Sequence, residues 1–250
     1  MENKLVTYTL RIADDSMILG QRLGEWCGHG PILEEDIAMT NIALDYIGQA
    51  TNFYEYAATL AGNGKTADDF AFLRIENEYT NVLLVEQPNG HYGDTIARQF
   101  FYDIFRKLYF EALLHSKDEQ LAAIAEKSLK ESKYHVKHSS EWVIRLGDGT
   151  DLSHERMQTS INNLWKYTDE LFYMDDVDKE LIEKGIAVDL DTLRKPWLDH
   201  VEMVLNRATL EKPSATWNFN GGRKGVHTEH FGYLLAEMQY MQRAYPGMEW

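Results

Sequence analysis

Apolar residues recur at three- and four-residue spacing along most of the chain, which is the period of an amphipathic or buried α-helix. Clusters of glycine and proline interrupt this pattern at 28–31, 62–64, 88–90 and 147–149. Because such clusters end helices, they divide the first 150 residues into separate helical segments. The predicted helices span residues 13–26, 34–61, 67–86, 94–115 and 118–146.

The remaining 100 residues continue the helical pattern without an obvious linker. Predicted helices here span 153–172, 177–184, 191–209 and 228–244, with a loop at 212–225 before the last one. Short turns between long helices favour antiparallel neighbours packed as a bundle. We therefore predict a single domain over residues 1–250, with a bundle core at about 10–147 and C-terminal helices, about 151–250, packed on it.

Composition narrows the fold class and the possible partners. Only 5 prolines and 17 glycines occur in 250 residues, which favours an all-α fold. The formal net charge of −15 would repel a phosphate backbone, so we exclude nucleic acid as a partner. A lone Cys27, the lack of a signal-peptide pattern in MENKLVTYTL and the absence of any apolar run near ~20 residues predict a cytoplasmic protein without membrane contact.

Polar residues fall at helical spacing within two segments that we expect to be buried. Asn41, Asp45, Gly48 and Asn52 follow one line along the second segment. In the fifth segment the corresponding line contains Glu131, His135, His138 and Trp142. Burying ionisable groups is costly unless they are paired or bound to metal. The interior should therefore hold either a metal or a compensating ion-pair network.

Inward carboxylates and histidines on four helices are typical of di-iron carboxylate proteins, which use two lone Glu residues and two Glu-x-x-His motifs. This chain departs from that pattern in both motifs. Three residues after Asp45 stands Gly48, and three residues after Glu131 stands Tyr134. His135 follows one residue later, about 100° further around the helix.

The lone carboxylates should lie about 30 residues before each motif, because an antiparallel helix must go out and return. Asp15 fits this expectation for Asp45, but the matching position before Glu131 is Arg98, a cation. We therefore hypothesise that Arg98, helped by Arg22, neutralises Asp15, Asp45 and Glu131 where iron would otherwise stand. The alternative is a metal centre of unusual geometry that uses Glu131, His135 and His138.

A glycine-rich basic loop lies near the C-terminus, with Arg223 and Lys224 between glycines and with His227 and His230 just after it. Such a loop before a helix can hold a phosphate, for example of coenzyme A, or contact a partner. It can equally be a solvated turn. His227 and His230 lack an evident further ligand for a metal.

Several stretches resemble one known family from end to end. They are QRLGEWCGHGP at 21–31, NIALDYIGQATNF at 41–53, NVLLVEQPNG at 81–90, DTIARQFF at 94–101, WVIRLGDGT at 142–150 and GVHTEHFGYLLAEMQYMQR at 225–243. The chain is similar here to the structural C subunits of phenylacetyl-coenzyme A epoxidase, also called phenylacetate-coenzyme A oxygenase.

That resemblance implies a ferritin-like four-helix bundle with additional C-terminal helices. It also implies a non-catalytic subunit, with no cofactor or metal of its own, that pairs with a homologous catalytic subunit in which a di-iron centre is bound. A reductase subunit with flavin and an iron–sulfur cluster would supply electrons from NADPH, and oxygen would be inserted into the ring of phenylacetyl-coenzyme A. The resemblance is compatible with a homodimer of the isolated chain. Two rival functions are a stand-alone di-iron oxygenase and a ferritin-type iron store.

Overall fold

Helices form all the regular structure in residues 4–214 and 217–248, the part of the chain that the computed structural model describes. The predicted all-α fold class is confirmed. The helices are α1 (Lys4–Gly24), α2 (Leu33–Ala61), α3 (Ala67–Phe72), α4 (Leu83–Glu86), α5 (Tyr92–Leu113), α6 (Glu119–Gly147), α7 (Asp151–Trp165), α8 (Asp176–Glu183), α9 (Asp191–Arg207) and α10 (Glu229–Ala244), with 3-10 turns at Glu76–Glu78, Asp169–Phe172 and Gly222–Lys224. None of these helices is long and apolar enough to cross a membrane.

Contacts within the chain define two compact units, the first formed by Met1–Gln87 with Gly221–Trp250 and the second by Pro88–Asn220. Helices α1 and α2 pack side by side in the first unit. Gly20 permits their close approach, because a Cβ there would lie 2.9 Å from Ile47 Cγ1 and 3.2 Å from the Ala43 carbonyl oxygen. Asp14 precedes Gly20 on α1 and accepts a hydrogen bond from Tyr54, which follows Ile47 on α2. The two helices therefore run antiparallel.

The second unit is built on a similar pair, α5 and α6, with α7 and α9 packed against both. Tyr92 at the start of α5 packs edge-on against Trp142 near the end of α6, at 5.2 Å between ring centroids, which makes this pair antiparallel as well. Trp197 of α9 donates its indole N–H to the Phe101 carbonyl on α5 at 2.9 Å. Two antiparallel pairs of long helices are the building blocks of the ferritin-like architecture.

Local capping explains why many helix boundaries agree with the sequence pattern. Asp118 accepts a hydrogen bond from the Leu121 amide at the start of α6, and Thr150 caps α7 in the same way. Helix α2 ends where Gly62 adopts a left-handed conformation at φ 58°, which glycine reaches without strain. These signals depend only on nearby residues, so the sequence shows them directly.

Three predicted helices were wrong in extent. The segment predicted as one helix at 67–86 is α3, a 3-10 turn and α4, because the extended stretch between them supplies backbone N–H groups to two buried carboxylates of α1. The segment predicted at 153–172 ends as α7 at Trp165 and resumes as a 3-10 turn. Helix α1 begins at Lys4 rather than 13, since burial of Tyr8 and Thr9 outweighs the weak helix preference of the VTYT run.

The C-terminal helices pack on different partners. Helices α7 and α9 lie against α5 and α6, whereas α10 contacts α1, α3 and α4 in the first unit. The single domain over residues 1–250 stays a prediction.

Candidate functional site

Two consecutive carboxylates of α1, Asp14 and Asp15, are almost completely buried. Asp14 forms an ion pair with Arg74 and accepts hydrogen bonds from the Tyr54 hydroxyl at 2.7 Å and from the Thr80 amide at 2.8 Å. Arg74 also stacks over the ring of Tyr79, 4.1 Å from its centroid. Burial and the Asp14 charge raise the pKa of Tyr54, so this phenol stays protonated and donates to the carboxylate.

Asp15 is held by a different arginine. Arg223 donates from Nη2 to Oδ2 at 2.8 Å and from Nη1 to Oδ1 at 3.0 Å, a bidentate contact. The Val82 amide donates to the same carboxylate at 2.9 Å. The cation that pairs with Asp15 is therefore Arg223, rather than the Arg98 or Arg22 of our hypothesis. Arg22 instead donates to the Glu86 carbonyl at 2.8 Å and to Glu25 at 2.9 Å.

A third buried carboxylate, Glu86, pairs with His227. The imidazole Nδ1 lies 2.7 Å from Glu86 Oε2, and its Nε2 lies 3.0 Å from the Tyr79 carbonyl oxygen. Both nitrogens face acceptors, so only the doubly protonated ring can donate to both. Burial opposes that charge, but the hydrogen bond and the charge of Glu86 outweigh it and raise the pKa of His227. The Thr228 amide also donates to Glu86, at 2.7 Å.

The arginine of the basic loop near the C-terminus is therefore directed into the interior. The Arg223 side chain is only 9% exposed and also donates to the Thr80 and Arg11 carbonyls. Because its donors serve Asp15 and these carbonyls, Arg223 has almost no surface left for a phosphate. Lys224 is exposed, and its contact with a phosphate or a partner stays a prediction.

We expected the line of polar residues on α2 to lie in the interior, and the structure contradicts this expectation. Asn41 and Gly48 are exposed, while Asp45 and Asn52 are half-buried. A Cβ built at Gly48 would meet nothing within 4 Å. The buried face of α2 is formed instead by residues such as Met39, Ala43, Tyr46 and Ala50. Any side chain at position 48 would consequently project to the surface of this chain.

In the second unit the predicted site residues differ in exposure. On α6, His135 is buried and Glu131 and His138 are half-buried, whereas Tyr134 is 50% exposed. On α5, Arg98 is buried and donates from Nη2 to the Asn89 side-chain oxygen at 2.8 Å. The role of Arg98 in balancing Asp45 and Glu131 stays a prediction.

The donor set does not fit a pair of metal ions. Within residues 4–214 and 217–248, no group of three or more His, Cys, Asp or Glu side chains is arranged to hold a metal ion. Both Asp15 oxygens accept from a guanidinium, and one also accepts from an amide. A metal ion at Asp15 would have to displace a buried arginine that already balances the charge.

The polar network of the first unit includes four residues that sequence reasoning missed: Asp14, Arg74, Glu86 and His227 in its paired role. The partners are 60 residues apart in one pair and 141 in the other, so no local pattern connects them. One signal was present. Two adjacent carboxylates between the apolar runs of a helix that packs in the interior require two separate buried donors.

Comparison with known proteins identifies the family of this chain. The model of the family described as "Phenylacetic acid catabolic protein" matches residues 1–250. The chain is also 53% identical over 248 residues to the C subunit of "1,2-phenylacetyl-CoA epoxidase" from Escherichia coli (strain K12), covering 99% of this chain and 100% of the relative. The chain therefore belongs to the phenylacetic acid catabolic protein family.

Proposed function

We propose that this chain is the non-catalytic structural subunit of a cytoplasmic, multicomponent phenylacetyl-coenzyme A epoxidase in aerobic phenylacetate degradation. Its task is to bind and order a homologous catalytic subunit that holds a di-iron centre. A reductase with flavin and an iron–sulfur cluster delivers electrons from NADPH to that partner, which inserts oxygen into the aromatic ring. The name of the E. coli relative, a component of such an epoxidase, supports this assignment.

One observation is the main support for the non-catalytic role. Asp15, the only lone carboxylate that the di-iron pattern supplies in this sequence, is bound by the Arg223 guanidinium on both oxygens. A guanidinium cannot lose its proton near neutral pH, so the positive charge remains fixed beside Asp15. The chain thereby supplies its own cation where a catalytic relative would need a metal.

The buried network suits a supporting subunit. Hydrogen bonds to its carboxylates connect the elements of the first unit. Asp14 and Asp15 of α1 accept from the extended stretch before α4, and Glu86 accepts from the residue that precedes α10. Both oxygens of each of these carboxylates accept hydrogen bonds, and buried polar groups satisfied in this way make a structure rigid and specify a single arrangement. A rigid surface can hold a partner's substrate pocket and ligand helices in their productive geometry.

A second candidate function is a stand-alone di-iron oxygenase with a non-standard site. Only one observation favours it: His135 is buried one helical turn after Glu131, a spacing that can share a ligand. This candidate requires bound iron and substrate oxidation without a partner.

Reconstitution tests both candidates. The chain is purified from iron-supplemented cells, alone and co-expressed with the catalytic and reductase subunits, and iron content and NADPH-dependent epoxidation of phenylacetyl-coenzyme A are measured. We expect ring epoxidation only in the complex, and less of it when this chain is omitted. Iron near two atoms per chain together with turnover by the chain alone would establish the second candidate instead.

The variant Arg223→Gln provides an internal check on these assays. It removes the fixed cation at Asp15 but adds no carboxylate or imidazole, so it should not create an iron site. Iron bound by that variant and not by the wild-type chain would show that the guanidinium is what excludes the metal.

A further inference from the structure

One face of α2 is exposed along nearly the whole helix. Its residues are spaced three or four apart, so they form a single stripe: Leu33, Ile37, Asn41, Leu44, Gly48, Thr51, Glu55 and Thr59. At about 1.5 Å per residue the stripe is about 40 Å long. Three large apolar side chains lie on it, with exposed fractions of 72% at Leu33, 53% at Ile37 and 60% at Leu44. We call this face the α2 stripe.

Gly48 is the second unusual feature of the α2 stripe. It lies inside a 29-residue helix, where glycine weakens the helix relative to alanine. Apart from the neighbouring backbone of α2 itself, no atom of the described residues comes within 4 Å of the position of its missing Cβ, so packing among them does not require a glycine. Glycine in an exposed helix face, one turn from the exposed Leu44, allows the backbone of another helix to approach closely.

The charges of α2 indicate the kind of partner. The helix contains Glu34, Glu35, Asp36, Asp45 and Glu55 but no lysine, arginine or histidine. Glu34 and Glu55 are exposed and lie near the two ends of the α2 stripe. Complementary potentials across an interface select partners and speed their encounter. A helix that covers the α2 stripe should therefore carry basic side chains beside its apolar face.

Two copies of this helix would not complement each other. In an antiparallel pair centred between Leu44 and Asp45, Glu34 of one copy would face Glu55 of the other. A parallel pair would bring each carboxylate near its own equivalent. Either arrangement sets like charges against each other, which is unfavourable in a dehydrated interface.

We infer that the α2 stripe is the docking surface for an amphipathic helix of a different polypeptide, one whose apolar face is flanked by lysine and arginine. The inference rests on the proposed function, because a supporting subunit needs a surface that receives the chain it orders. Leu33, Ile37 and Leu44 supply the apolar contacts, Gly48 supplies the close approach, and Glu34 and Glu55 attract the flanking cations.

Binding of the purified catalytic subunit to full-length variants of this chain tests the surface. We expect Leu44→Glu and Gly48→Leu to weaken binding by at least about tenfold, as for central interface residues. The control Met203→Glu, at an exposed position of α9, should stay within about twofold of wild type. Circular dichroism and thermal melts verify that each variant folds.

Charge reversal tests the chemistry of the partner. The double variant Glu34→Lys/Glu55→Lys should slow association, most strongly at low ionic strength. The matched control, Glu183→Lys, changes an exposed glutamate of α8 and should leave the association rate unchanged. A photo-cross-linking residue in place of Leu44 gives a readout that needs no loss of binding. It should label a partner helix that has lysine or arginine beside its apolar face.

The outcomes separate this inference from the proposed function. If wild-type chain does not bind the catalytic subunit, the proposed function fails. If wild type binds and the stripe variants bind equally well, the docking surface lies elsewhere, although the function stands. If the stripe variants alter only self-association, measured by light scattering, the occupant is a second copy and the inference is overturned. A cross-linked peptide without neighbouring basic residues would overturn the charge argument.

Discussion

Asp14 and Asp15 follow each other on α1, so their side chains point about 100° apart around the helix axis. Each carboxylate consequently needs its own donors: Arg74 pairs with the first and Arg223 with the second. Removing one partner of a buried ion pair leaves an uncompensated charge, which costs far more than the pair contributes as a whole. The stability of the first unit should therefore be very sensitive to these arginines.

Replacing Arg223 with glutamine should lower the free energy of unfolding by about 3–5 kcal/mol, because Asp15 remains buried without its cation. The neighbouring Lys224 is exposed, so Lys224→Gln should change stability by less than about 0.5 kcal/mol. Urea denaturation followed by circular dichroism measures both. Equal stability of the two variants would show that the Arg223–Asp15 pair contributes little.

Gly48→Ala should raise the free energy of unfolding by about 1 kcal/mol, because alanine is the better helix former and its methyl group meets no neighbour within 4 Å. Gly20→Ala is the opposite case, since its Cβ would approach Ile47 to 2.9 Å in the α1–α2 contact. Thermal melts of the two variants should shift in opposite directions. A destabilised Gly48→Ala would mean that the free chain itself requires the glycine.

The environment of a residue could be predicted only where it depends on that residue and its near neighbours in the sequence. The sequence identified Asp15 as an acid on a helix face that would be buried, and it is buried. Its partner could not be predicted, because Arg223 is 208 residues away and a glycine-rich basic loop is equally compatible with a solvated turn. The line on α2 was assigned to the wrong face because polar spacing alone does not distinguish an interior seam from an exposed stripe.

Among the structural elements, the stretch from Leu73 to Val82 departs most from the helical pattern of the sequence. It is extended at Ile75 and Tyr79, and its freed backbone groups serve the network: the Thr80 and Val82 amides donate to Asp14 and Asp15, and the Glu78 carbonyl accepts from Arg74. The carboxylates of α1 thus accept hydrogen bonds from amides that a continuous helix would pair with its own carbonyl groups. Capped helices such as α6 could be predicted within one residue, since a cap is local.

The start of α10 is attached to α4 through His227 and Glu86, and this attachment should depend on pH. The folded-state pKa of His227 is raised, so its stabilising contribution is complete below the unfolded pKa of about 6.5 and is lost as the pH rises through the folded value. As the pH rises through the folded-state pKa of His227, the wild type should therefore lose stability relative to His227→Gln. Urea unfolding at a series of pH values measures the difference. A pH-independent difference would mean that folding leaves the pKa of His227 unchanged, and stability lost as the pH falls would mean that the folded ring is neutral.

At the scale of the whole molecule, the net charge of −15 is distributed unevenly among the helices. Helix α2 carries only acidic charges, whereas α6 carries Lys127, Lys130, Lys133 and Lys137. The buried arginines, among them Arg74, Arg98 and Arg223, contribute their charge to the interior. The exposed surface of α2 is therefore acidic even though the buried network beside it is balanced.

This distribution predicts how the proposed complex with a catalytic subunit responds to salt. Charges at the rim of an interface govern the association rate, and the Debye length falls from about 30 Å at 0.01 M to about 10 Å at 0.1 M salt. The association rate should fall with ionic strength, while the dissociation rate, which depends on Leu33, Ile37 and Leu44, should change little. Stopped-flow mixing of the two purified subunits measures both rates. We proposed that the attraction resides in α2, so Glu34→Lys/Glu55→Lys should flatten the salt dependence. An equally steep dependence in that variant would place the attracting charges elsewhere.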